Sequence, residues 1–169
     1  MLSRVRWIVN ARDGGAAGGK VTIYFYSTRE KHYGCFSNFS PHGFEPDGVW
    51  WPTSEHYFQA QKFIGTPYFE RVCRASSPKK VAELGRRRDF PLRQDWEEVK
   101  DDVMRRAVLC KFETHADIRE ILLSTGHDFI VENAPRDYYW GCGADGSGQN
   151  KLGLILMEVR DALRSIIAV

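Results

Sequence analysis

A chain of 169 residues, 43% hydrophobic and 27% charged, has the make-up of one folded domain, not that of a disordered tail or a disulfide-stapled scaffold. Its 24 Lys and Arg against 22 Asp and Glu leave a formal charge of +2, too balanced for charge-driven binding to long nucleic acid. The four cysteines are scattered without a C-x-x-C pair, no apolar run approaches the ~18 residues of a membrane span, and the N-terminus shows no secretory signal, so a cytoplasmic protein with reduced thiols is expected.

Residues 1–20 end in a Gly/Ala-rich stretch and read as a flexible extension; residues 21–169 read as the folded domain. KVTIYFY alternates Val21, Ile23 and Phe25 with Thr22, Tyr24 and Tyr26, the period of a strand. A loop follows, and DGVWWP reads as a short strand stopped by Pro52. Thr53 or Ser54 caps a helix running to about Ile64, before Gly65 and Pro67. Ser77-Pro78 opens a helix that closes near Gly85. Asp95-Trp96-Glu97-Glu98 predicts a capping box and a long helix with Trp96, Val99, Val103, Ala107 and Cys110 inward. Thr114 to Asp117 signals another helix, stopped at Gly126; DFIVEN follows as a strand. A last helix runs from Leu152 to Ile167, with Leu152, Ile155, Leu156, Val159 and Leu163 inward. The class is α+β, mainly helical, with a few short strands.

Four places carry chemistry. In WPTSEHYFQAQKF, Glu55, Gln59 and Lys62 stand at i, i+4 and i+7 and share one helical face, with Phe58 and Phe63 flanking it. A polar stripe bordered by rings suits a polar, ring-shaped ligand, and a half-buried Glu is the usual profile of a general acid. Spacing alone does not separate this wall from a carboxylate–ammonium pair, bridged by an amide, that satisfies only itself. His56 lies off the face and reads as a hydrogen-bonded core residue; the other histidines show no ligand spacing, so no metal is expected. PRDYYWGCGADGSGQNKLG places Gly141, Gly143, Gly146 and Gly148 before a helix that starts near Asn150 or Lys151, and Asp137, Tyr139, Trp140, Asp145 and Asn150 add acids, rings and an amide to this candidate binding loop. Glycines let a backbone approach a ligand, and a helix N-terminus offers N–H groups to an anion. CFSNF sets Ser37, Asn38 and Phe39 either against a sugar or base edge or in a turn pinned by its rings. In LGRRRDFPLR, Arg86 is a candidate phosphate clamp, although most charge runs are solvated faces.

Taken together and in this order, the phrases FYS, FSNF, WPTSEHYFQAQKF, SSPKKVAELGR, LRQDWEEVKDDVMRRAVLCKF, YYWGCGADGSGQNKLG and LILMEVR resemble the NADAR superfamily over about Val21 to Arg164. Within it they resemble the YbiA-like branch of riboflavin-intermediate N-glycosidases. The resemblance implies a compact α+β domain that needs no cofactor and hydrolyses a C–N glycosidic bond. The substrate implied is a phosphorylated ribosylamino-pyrimidine, and the products are ribose 5-phosphate and the free aminopyrimidine. Two alternatives stand beside it: removal of ADP-ribose from guanine, and a non-catalytic module that binds ADP-ribose or a nucleotide. The Glu, Lys and Trp of the family pattern fall on Glu55, Lys62 and Trp140. Relatives often carry Asp after YWG, where this chain has Cys142, so that task would pass to Asp137 or Asp145. Glu55 is then an acid–base group, Trp140 a surface for the base or ribose, and Lys62 a partner for Glu55, a phosphate ligand or a Schiff-base amine.

Overall fold

The structure, a computed structural model, describes residues 20–167; the expected extension over residues 1–20 therefore lies, apart from Lys20, outside the described residues. Among those residues are six α-helices and one two-stranded sheet, the α+β, mainly helical class that the sequence predicts. The chain divides into two compact units, one made of Cys35–Glu120 and the other of the described parts of Met1–Gly34 and Ile121–Val169.

In the discontinuous unit, β1 (Thr22–Phe25) and β2 (Phe129–Glu132) pair in parallel, Thr22 opposite Phe129 and Phe25 opposite Glu132. Parallel neighbours need a long crossover, and here all of the other unit lies between them in sequence. Ile23, Phe25, Ile130 and Val131 are buried, and α6 (Lys151–Ile167) packs on β2 through the inward residues that its periodicity predicts. The buried Arg160 ties α6 to the turn before β2, donating to Thr125 Oγ1 and the Asp128 carbonyl, both at 2.9 Å.

The continuous unit is built from α1 (Ser54–Gln61), α2 (Phe69–Cys73), α3 (Pro78–Gly85) and α4 (Trp96–Thr114), with α5 (Ala116–Ser124) following α4 in the chain. Phe44, Trp51, Tyr57, Phe63, Tyr68, Val72, Val81 and Ala107 form its core. Ser77 caps α3 by accepting from the Lys80 N–H, with Pro78 in the first turn, as the sequence predicts.

Two local expectations are corrected, and one helix is added. DGVWWP is not a strand: Asp47 (φ 59°) and Gly48 (φ 75°) bend the chain through a 3-10 turn, leaving one antiparallel bridge between Phe44 and Trp51. Asp95 does not cap α4, because Arg93 holds both its carboxylate oxygens at 2.6 and 2.8 Å and its backbone lies outside the extended region an N-cap prefers. The five-residue α2 went unpredicted: it has no side-chain cap and is too short to show a period.

Candidate active site

Thr53 starts α1. Its backbone is extended and its hydroxyl accepts the His56 N–H at 3.2 Å. His56 Nε2 faces the Ala75 carbonyl at 3.2 Å, which only accepts, so Nε2 carries the proton and Nδ1 accepts from Thr53 Oγ1 at 2.8 Å. Burial lowers the His56 pKa, opposed by the bond to Ala75. This neutral imidazole is the core residue that the sequence predicts. Ser54 through Ala60 are all buried, and of α1 only its last residue, Gln61, is partly exposed.

The polar stripe lies within that burial. Glu55 is 8% exposed, Gln59 7% and Lys62 9%. Gln59 Nε2 donates to Glu55 Oε1 at 2.7 Å, whereas the buried Gln59 Oε1 has no hydrogen-bond partner among the described residues. The amide therefore does not bridge carboxylate to ammonium. Lys62 Nζ instead donates to the Gly85 carbonyl at 3.3 Å and stands over the Phe58 and Trp96 rings, 5.3 and 5.6 Å from their centroids. Gly85 is a glycine for a steric reason: a Cβ there would strike the Gln59 amide. Burial brings the Lys62 pKa down to about 8, opposed by Glu55 and assisted by Arg88 and Arg86, with Glu97 opposing more weakly. The stripe thus holds a carboxylate, an amine whose pKa is lowered to about 8, and a buried amide oxygen with no hydrogen-bond partner among the described residues.

CFSNF is placed at the start of the same helix. The Asn38 carbonyl accepts the Glu55 N–H at 3.0 Å, satisfying one of the donors a helix N-terminus leaves open. Asn38 Nδ2 donates to Met104 Sδ at 3.3 Å, while its buried Oδ1 has no partner among the described residues. Ser37 is buried, and its hydroxyl accepts the Phe39 N–H at 3.3 Å; Phe39 is 37% exposed. From α4, the Lys111 amine reaches the same turn, donating to the Cys35 and Ser37 carbonyls at 2.5 and 3.1 Å. Sequence reasoning missed Lys111. The available signal was a lysine three residues after Val108 and seven after Met104, in register with apolar positions.

Of the arginines, Arg87 is paired with Asp89, Arg93 with Asp95, and Arg88 donates to the Gly85 and Arg87 carbonyls. Arg86 is exposed at the end of α3, and both Arg86 and Arg88 act electrostatically on Lys62.

The Gly-rich loop belongs to the other unit and is largely spent on itself. Asp137 Oδ1 accepts the N–H groups of Tyr139 and Trp140, at 2.9 and 2.7 Å, and Asp145 Oδ1 accepts from Ser147 N and Oγ, at 3.1 and 2.7 Å. The N–H groups of Asn150, Lys151 and Leu152 donate to the carbonyls of Gly141, Tyr139 and Trp140. The start of α6 is therefore occupied by its own loop, not open to an anion as expected. Asn150 is fully buried at φ 51° and clamps β2, its Oδ1 accepting from Glu132 N and its Nδ2 donating to the Ile130 carbonyl, both at 2.9 Å. Gly143 and Gly146 take positive φ, while Gly148 and the buried Gly141 sit where a Cβ would meet neighbouring backbone. Trp140 is half-buried with its ring edge-on to Tyr139. Cys142 is 0% exposed, and burial raises its thiol pKa, the reverse of what a nucleophile needs. Among the described residues no cluster of His, Cys, Asp or Glu could hold a metal ion, and no helix is long and apolar enough to cross a membrane.

Comparison with known proteins adds the family context. The NADAR domain family matches residues 24–164. The chain is 50% identical over 151 residues to an N-glycosidase of Nostoc punctiforme, covering 88% of this chain and 96% of that one. To the N-glycosidase YbiA of Escherichia coli it is 52% identical over 141 residues, 83% of this chain and 88% of the relative. The NMR structure of E. coli YbiA matches with a TM-score of 0.83 at 48% identity, covering 90% of each chain. A riboflavin biosynthesis protein of Zea mays, named PYRR, chloroplastic, is 42% identical over 156 residues, spanning 83% of this chain and 25% of that protein.

Proposed function

The chain belongs to the NADAR domain family, and from that premise we propose that it hydrolyses the N-glycosidic bond of early phosphoribosylamino-pyrimidine intermediates of riboflavin biosynthesis. The enzyme class is that of its relatives at about half identity, the hydrolases of N-glycosyl bonds. The finer substrate assignment draws on the riboflavin biosynthesis relative. The observation that carries the reading is the single buried face where Glu55 stands with an amine whose pKa lies near 8.

Breaking the bond from C1′ to nitrogen leaves positive charge on the ribose and a nitrogen that needs a proton. Glu55 supplies the acid–base step, protonating the leaving nitrogen or taking a proton from the attacking water, an effect of about 10²–10⁴-fold for a well-placed group. Among the roles open to Lys62, its lowered pKa supports the nucleophilic one. The amine adds to C1 of the ring-opened sugar, the aminopyrimidine leaves with the proton, and water hydrolyses the resulting imine. Ribose 5-phosphate and the free lysine are regenerated. Gln59 Oε1 and Asn38 Oδ1 accept from the sugar hydroxyls or base amino groups, since both are buried acceptors lacking a donor. Arg86 binds the phosphate. For Trp140 the resemblance alone supports a ring contact with the base or ribose, and for Asp137 and Asp145 it supports orienting the sugar or water.

Incubation with both early riboflavin intermediates, and separately with ADP-ribosylated guanine, tests the assignment through release of ribose 5-phosphate or free guanine. Faster turnover of the riboflavin intermediates is expected. Preference for the ADP-ribosylated base moves the reaction to that substrate, and saturable binding with no product makes the chain a binding module.

A further inference from the structure

Lys111 is the most deeply buried charged side chain described, 1% exposed on a 19-residue helix. Its amine lies 5.3 Å from the Phe112 ring centroid and donates to two carbonyls of the turn that precedes α1. Stability is a poor reason for it. The Cys35 carbonyl also accepts from Ser40 Oγ at 3.1 Å, and the Ser37 carbonyl from Ser40 N at 3.1 Å. Without Lys111 neither carbonyl would lack a donor, and a methionine would fill the space with no charge to desolvate. Burial presses the amine down to about 7, with the Cys35 thiol opposing.

The geometry gives the lysine a different task. Its two bonds fix the carbonyls of Cys35 and Ser37, and the next residue, Asn38, is held on the same helix by Met104 Sδ. The Asn38 carbonyl then takes the Glu55 N–H. α4 thereby reaches the first turn of α1 through the 35–38 turn, at the residue that bears the reacting carboxyl. We infer that Lys111 is a positioning residue, which by gripping the 35–38 turn sets where the Asn38 carbonyl, and hence Glu55, stands. The inference rests on the assignment of Glu55 above.

The test is residue-resolved amide exchange and kinetics on Lys111→Met, with Lys111→Gln as a second variant should the first not fold. Exchange of the Glu55 amide is expected to quicken by about tenfold or more, while the Ile130 and Val131 amides exchange as in the wild type. With the riboflavin intermediate, kcat falls roughly 100-fold, as for a displaced catalytic group, while KM changes by no more than a few-fold. A role confined to stability predicts equal loss of protection at Glu55 and in β2, and no selective fall in kcat; that result overturns the inference. So does unchanged Glu55 protection in a folded variant, or quickened exchange with wild-type kcat. If the wild type releases no ribose 5-phosphate, the proposed reaction fails, and Glu55 exchange alone then decides the positioning.

Discussion

Lys62 carries its amine in a place that disfavours charge, and this has two separable consequences. Its folded pKa of about 8 lies below the ordinary lysine value of 10.5. Between those values the unfolded chain binds more protons than the folded one, so stability from this group rises with pH across that window and is at its lowest below it. Lys62→Met is therefore expected to unfold at higher denaturant than the wild type at pH 7, with the gap closing by pH 10. The catalytic consequence has the opposite use. A Schiff-base amine must be neutral, so kcat/KM climbs as pH rises to about 8 and then levels, and borohydride traps an adduct on Lys62. Activity falling above pH 8, with no adduct, would assign the ammonium to phosphate or to Glu55 instead. The sequence placed this lysine on one face with Glu55 and Gln59, but not the open carbonyl of Gln59. That depends on Gly85, 26 residues further along the chain than Gln59, letting α3 come close.

At the scale of elements, period and punctuation were legible wherever a helix or strand was long and capped. Ser77-Pro78 and the inward residues of α6 were read from spacing and are found so. Asp95 misled because a nearby arginine outcompetes a backbone N–H for a carboxylate, a choice that composition does not reveal. The stripe read on α4 was turned slightly: Met104, Val108, Lys111 and Phe112 are buried, while Val99, Val103 and Cys110 are only partly so. That turn hid Lys111, since charged residues are read as outward by default. The loop before α6 was recognised as special for its glycines and rings, but its inward hydrogen bonding depends on pairings across the loop. Asn150 is the element's fastening. Replacing it with alanine removes two buried bonds to β2 and leaves a residue less tolerant of positive φ, so a loss of roughly 2–4 kcal/mol is expected in chemical denaturation. A change within about 0.5 kcal/mol would mean that the loop holds its shape by other contacts.

At the scale of the molecule, the family match over residues 24–164 and the near-complete coverage of N-glycosidase relatives give the enzyme class for which the Glu55 face is proposed as the site. A near-neutral chain with a local arginine cluster fits a small phosphorylated substrate better than a polyanion. The proposed acid–base step rests on Glu55, which is buried, bonded through its N–H to the Asn38 carbonyl and through its carboxylate to Gln59. Glu55→Gln keeps the size and loses the acid–base function. The most direct measurement is ribose 5-phosphate release from the early riboflavin intermediate by a folded Glu55→Gln chain. A fall in kcat of about 10²-fold or more supports the account, and near-wild-type hydrolysis contradicts it.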